Sequence, residues 1–128
     1  MINKNQLTER SFTPSQLSGF DGAHSIQLPV DFIHDLSKAD SLQAVLDTIA
    51  YCISHVFDAD RASITLQDTE EYLKLYSISG NHAIPMDFKI PIGQTFVGRV
   101  FAQSQLIICD DLAQSDELDC KMLSEHGM

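Results

Sequence analysis

The chain is short of basic charge. Eight lysines and arginines stand against eighteen aspartates and glutamates in 128 residues, for a formal net charge of −10, and the basic residues are scattered as singles. Phosphate backbones need clustered cations, so this balance excludes nucleic acid as a partner. It equally disfavours an anionic membrane surface. No apolar run approaches the ~20 residues that span a bilayer, and the N-terminal MINKNQLTERSF lacks the apolar core of a secretory signal. Cys52, Cys109 and Cys120 make an odd number in a small chain, which argues against a disulfide framework. Internal repeats and low-complexity segments are missing as well. These absences point to the cytoplasm.

What is present suits one domain with one core. Hydrophobic residues make up 44% of the chain, more than a disordered segment usually carries. Residues 1–28 are polar and interrupted by Pro14, Gly19 and Gly22, so they read as an irregular N-terminal extension, with a short helix near Leu7 capped by Asn5. The domain is expected over residues 29–128.

Pro29 suits the first turn of a helix over 29–37, with Val30, Ile33 and Leu36 on one face and Phe32 beside them. Asp40 or Ser41 caps a second helix over 42–57. Its apolar positions, Leu42, Val45, Leu46, Ile49, Ile53, Val56 and Phe57, have the three-four spacing of a helix laid on a core, and Ile49 and Ile53 are expected inside. Ala62, Ile64 and Leu66 alternate with polar residues, which predicts a half-buried strand over 62–67. A polar connection over 68–71 leads to a returning strand over 72–79, with Leu73 and Leu75 on one face and Tyr72, Tyr76 and Ile78 on the other. Pro85 keeps the loop over 82–89 out of regular pairing.

The stretch IPIGQTFVGRVFAQSQLIICDDL, residues 90–112, organises the rest. Thr95 is an N-cap for a short helix carrying Phe96, Val97, Val100 and Phe101 on one face. Gly98 sits inside that helix, where Gly costs roughly 1 kcal/mol against Ala, so a close backbone approach is expected there. Ser104-Gln105 allows a turn. Leu106 to Cys109 is a continuous apolar run, the mark of a strand buried on both faces, and Asp110-Asp111 stops it. A last helix over 117–125 would turn Leu118, Met122 and Leu123 inward. Helices first, then a hairpin, then a further helix and strand predict the α+β class, an antiparallel sheet with helices packed on it.

In the order Pro91, Gly93, Val97-Gly98-Arg99-Val100, polar turn, apolar strand, Asp111-Leu112, the chain resembles the GAF domains, a family of small sensory and regulatory modules. The resemblance covers roughly residues 29–128. It implies a single antiparallel sheet of five or six strands, of which the last central strands and the closing helix would lie beyond residue 128. On that reading the strand at Leu106 to Cys109 has lost its neighbour, and the chain must recruit a second copy, pair in another order or stay loosely packed. The resemblance further implies a non-catalytic module that binds a small-molecule ligand or forms a homodimer, passing its signal to an output domain. The positions matching the family's pocket wall are Phe96, Ile108, Asp110 and Leu118, with Asp110 the polar contact. No cofactor is implied.

Other chemistries find less support. Gly93 and Gly98 have the G-x-x-x-x-G spacing of a phosphate loop, but Arg99-Val100 follows where Lys and Ser or Thr belong. The acidic residues Asp110, Asp111, Asp116, Glu117 and Asp119 have no cation-loop spacing, and the five histidines pair with no cysteine at zinc-ligand spacing. Two GAF subfamilies use cysteine. The free methionine-sulfoxide reductases, the alternative reading here, carry one where this chain has Phe96-Val97, and bilin attachment favours a Cys-His pair where this chain has Cys120-Lys121. Cys120 amid carboxylates is expected to have a raised thiol pKa and Cys109 to be packed core. A third reading is a dimerisation module using the 42–57 helix or its neighbour.

Overall fold

A computed structural model describes residues 9–13 and 28–126. The fold is α+β. Among the described residues there are four α-helices and two antiparallel sheets, one ordered β1-β5 and one β2-β3-β4. The expected helix near Leu7 lies outside the described residues. The chain divides into two compact units, Ile26–Lys89 and a second that joins Ile90–Met128 to Met1–Ser25.

In the first unit, α1 (Val30–Lys38) packs on α2 (Leu42–Val56), and α2 packs on the hairpin of β2 (Arg61–Gln67) and β3 (Tyr72–Gly80). α2 begins where Ser41 accepts a hydrogen bond from the Ala44 amide at 3.1 Å. It buries Leu46, Ala50, Cys52 and Ser54. Leu73, Leu75 and Ser77 form the buried face of β3, an alternation that the sequence showed for its first two members. Ser77 continues it as a polar residue because its hydroxyl donates to Asp47 Oδ1 at 2.6 Å, an oxygen that also accepts from Gln43 Nε2 at 2.9 Å. A buried hydroxyl with such a partner escapes the ~1–3 kcal/mol cost of an unsatisfied one. β4 (Lys89–Pro91) completes the sheet order where the chain leaves this unit.

Three expectations change here. Ile53 is 42% exposed rather than core, and Ile49 is half-buried. The buried side of α2 is centred on Leu46, Ala50 and Ser54, about a quarter-turn from the centre of the apolar stripe. In α1, Val30 and Ile33 are exposed, because that helix meets α2 through the side carrying Phe32 and Leu36, which are half-buried. Leu66 is exposed because the register shifts between Ile64 and Thr65. Ile64 pairs with Ser77 and Thr65 with Leu75, so Tyr76 is the extra residue of a bulge. Past it Thr65 takes the core-facing place and Leu66 turns outward opposite Lys74.

In the second unit, β1 (Glu9–Phe12) pairs antiparallel with β5 (Leu106–Cys109), Glu9 opposite Cys109 and Phe12 opposite Leu106. This corrects one expectation and selects among the outcomes left open for another. Residues 9–12 are a strand rather than irregular extension, and the 106–109 strand finds its neighbour within the chain, by pairing in another order. β5 is also not buried on both faces. Ile107 is buried, Ile108 and Cys109 are half-buried and Leu106 is exposed. After a short 3₁₀ turn over Ile92–Gln94 come α3 (Phe96–Gln103), β5, a second 3₁₀ turn over Leu112–Gln114 and α4 (Leu118–Glu125). α4 buries Asp119 and Cys120, whereas Leu118, Met122 and Leu123 are half-buried.

Gly80 ends β3 at φ 91°, and a Cβ there would lie 2.2 Å from the Asp60 carbonyl oxygen. That oxygen accepts from the Asn81 amide at 2.8 Å, so it has no freedom to retreat. Gly80→Ala is therefore expected to lower unfolding stability by about 1–3 kcal/mol, measured by denaturant titration. A change within ~0.5 kcal/mol, the scale of an indifferent surface site, would show the turn to be adaptable.

Candidate functional site

The four residues expected to line a ligand pocket, Phe96, Ile108, Asp110 and Leu118, all belong to the second unit, but its side chains are employed differently. Phe96 opens α3 and is half-buried beneath Arg99, whose guanidinium carbon lies 5.2 Å from the ring centroid. Ile108 is half-buried in β5 opposite Arg10. Asp110 is exposed and accepts from Arg10 at 2.8 Å, so the expected polar ligand contact is instead half of a surface ion pair. Leu118 borders an open hollow with Gly93, Gln94, Asp116, Glu117 and Lys121, which none of the other three lines.

The centre of this unit is Arg99. Its Nη1 and Nη2 donate to both oxygens of Glu9 at 2.8 and 2.6 Å. Its Nε and Nη2 donate to both oxygens of Glu117 at 3.2 and 2.8 Å. Two carboxylates thus grip one planar fork, and hydrogen bonds to Glu9 and then Glu117 hold the guanidinium pKa above its already high ordinary value. The arrangement joins the first residue of β1, the second turn of α3 and the residue preceding α4. Glu117 was expected at the start of the last helix, among acids of no cation-loop spacing, and Glu9 was not singled out. Their spacing from Arg99, 18 and 90 residues, carries no local signal.

Around that fork the start of α3 is closed. Thr95, 1% exposed, accepts from the Gly98 amide at 3.0 Å and donates to the Pro91 carbonyl at 2.7 Å. Asp119 reaches over from α4 and accepts from the Phe96 and Val97 amides at 2.8 and 3.0 Å, the free donors of a helix start. The close approach expected at Gly98 is present. A Cβ there would stand 2.2 Å from the Ile92 carbonyl oxygen, a contact that a side chain cannot make.

All three cysteines are free thiols. Cys120 is 1% exposed, and its pKa is pushed up to about 11, by burial first and then by the charges of Asp119 and Glu117, against a lowering hydrogen bond from Ser115. Cys109 is also pushed up, chiefly by burial, although the strand leaves it half-buried rather than core. The carboxylate effect foreseen at Cys120 exists, but burial outweighs it. Among the described residues no group of three or more His, Cys, Asp or Glu side chains could hold a metal ion.

The first unit offers a different feature. Leu42, Ile49, Ile53 and Phe57 recur at spacings of seven, four and four, one line along α2 and its C-cap. Leu42 and Phe57, at 60% and 58% exposure, share the open state of Ile53. The helix carries Asp47 as its one acid and no lysine or arginine.

These features define a small α+β chain with one side-chain network that closes a unit and one apolar helical stripe left open. No protein-family model, curated protein or solved structure matches it. Among the described residues no helix is long and apolar enough to cross a membrane.

The buried Cys120 gives a pH test. Its folded pKa lies above the ordinary 9.0, so its contribution to stability is present below about pH 9 and lost as pH rises through about 11. Ultraviolet thiolate absorbance, taken as the difference between the chain and Cys120→Ser, should titrate with a midpoint of about 11. A midpoint at or below 9.0 would mean that the thiol is solvated and reactive.

Proposed function

We propose that this chain is a cytoplasmic, non-catalytic regulatory module that acts by self-association through the open stripe of α2. The observation that carries the proposal is the exposure of Leu42, Ile53 and Phe57 in one line on a helix with a single acidic residue. Copies of a chain with net charge −10 repel on average. A contact between them is favoured where acid is sparse, and α2 is such a place. Covering a large apolar side chain is worth about 1.5–3 kcal/mol, and a two-fold interface covers each residue twice. Set against an association cost of roughly 4–15 kcal/mol, this supports a dimer of modest affinity.

The GAF resemblance belongs to this reading. It is supported by the order of helix pair, hairpin, short helix and strand, with the β1-β5 pairing as a departure. In that reading the module passes its state to a signalling output domain. A ligand at Phe96, Ile108, Asp110 and Leu118 has less support, since Arg10 engages Asp110. The redox alternative is disfavoured by the upward-held thiols of Cys109 and Cys120. Three free thiols suit a reducing compartment.

Sedimentation equilibrium tests the proposal at roughly 100 μM chain, where an association worth about 5–6 kcal/mol is populated. The chain should sediment as a dimer and Ile53→Asp as a monomer with unchanged circular dichroism. A monomeric parent chain, or a folded Ile53→Asp variant that remains dimeric, would overturn it.

A further inference from the structure

Between α1 and α2, on a different side of α2 from the Leu42–Ile53–Phe57 line, lies a groove of about 240 Å³. Its walls combine two kinds of group. One is aromatic and apolar: Phe32 and Pro29 from the α1 side, Val56 from α2, and Tyr51 stacked on His55 with ring centroids 3.9 Å apart. The other is anionic: Asp31 and Asp35, one helical turn apart on α1. Among the described residues neither carboxylate has a hydrogen bond or an ion pair. No lysine or arginine lines the groove.

We propose that this groove is a binding site for a small organic cation, an alkyl or quaternary ammonium group. Charge complementarity selects the sign, since two unpaired carboxylates line a cavity with no lysine or arginine in its walls and the whole chain adds a negative field. The aromatic lining selects the kind of cation. Ring faces attract weakly hydrated ammonium groups, whereas a hard metal ion prefers about six to eight oxygen ligands, which two carboxylates on an apolar wall do not supply. His55 Nδ1 is engaged by the Tyr51 carbonyl oxygen at 2.8 Å and the Ser54 hydroxyl at 3.2 Å, which fixes the ring that stacks on Tyr51. The size fits a group of choline dimensions and excludes a folded peptide. The site is independent of the self-association reading and of the ligand positions expected at Phe96, Ile108, Asp110 and Leu118.

The test is a titration of the full chain with choline, followed by amide and aromatic resonances of α1 and α2, beside its neutral tert-butyl isostere and sodium chloride at equal ionic strength. Choline should give saturable shifts at Phe32, Tyr51 and His55, and the isostere should bind at least fivefold more weakly. Asp31→Asn with Asp35→Asn should weaken choline severalfold, the scale of two lost Coulombic attractions at exposed carboxylates. Both aspartates are exposed, so the fold should survive these changes. Tyr51→Ala, at another exposed position, should weaken it as well. Equal response to the isostere, no saturable shift, or full affinity in the double aspartate variant would overturn the proposal. So would groove shifts that follow chain concentration alone, which would assign the groove to a second copy; the α2-stripe reading is judged separately by Ile53→Asp.

Discussion

The second unit depends on one guanidinium held by two carboxylates. Arg99, Glu9 and Glu117 are 28%, 13% and 21% exposed at their side chains, so all three are largely withdrawn from water. Withdrawing a carboxylate that far is costly unless its oxygens are matched. The planar fork of arginine matches two of them at once, which a lysine would not do. Each carboxylate brings its own element: Glu9 brings β1 and Glu117 brings the start of α4. Without the fork, Glu9 and Glu117 would be two negative charges set together with Asp119 nearby in sequence and no cation between them.

That clamp makes sense of the helix beside it. α3 is eight residues long, too short to stand by its own hydrogen bonds. It is held at its start by Thr95 from within and Asp119 from without, and along its first turn by the Gly98 approach to Ile92. The first unit relies on another device. There the amphipathic α2 lies on the hairpin, and Asp47 ties Gln43 to Ser77 across the helix–strand contact. Arg61 holds the Asn81 and Ile84 carbonyls, so the loop after Gly80 leaves the strand in a fixed way. The second unit is closed by charge and the first by apolar burial, and among the described residues only the first leaves apolar side chains of a long helix facing water.

Much of this was legible in the residues. Thr95 caps the helix it was expected to cap, Ser41 is the one of two candidates that caps α2, the 62–79 hairpin forms with a bulge in its alternation, and Gly98 marks a close approach. These signals are local: a cap, a period, a small residue. What escaped was long-range. ERSF has no apolar alternation, and it becomes a strand because Glu9 meets Arg99 and Arg10 meets Asp110, 90 and 100 residues away. The bulge at Tyr76 is invisible to a pattern that assumes unbroken register, so Leu66 was placed inside. The apolar line of α2 shows where the helix is oily and not which part of that line its own chain covers. For the pocket, matching single positions to a family placed Asp110 at a ligand without seeing that Arg10 stands opposite.

The most direct test of the clamp is amide hydrogen exchange in Arg99→Met, a change that keeps much of the side-chain volume and removes the charge. The account predicts that protection across the β1-β5 pairing, from Glu9–Phe12 and Leu106–Cys109, falls by about tenfold or more, as expected for the loss of ~1.5–3 kcal/mol of charge-assisted contact. Protection in β2 and β3 should be retained. Unchanged protection of the β1-β5 amides in a folded Arg99→Met chain would show that the strand is held by other contacts and would contradict the account.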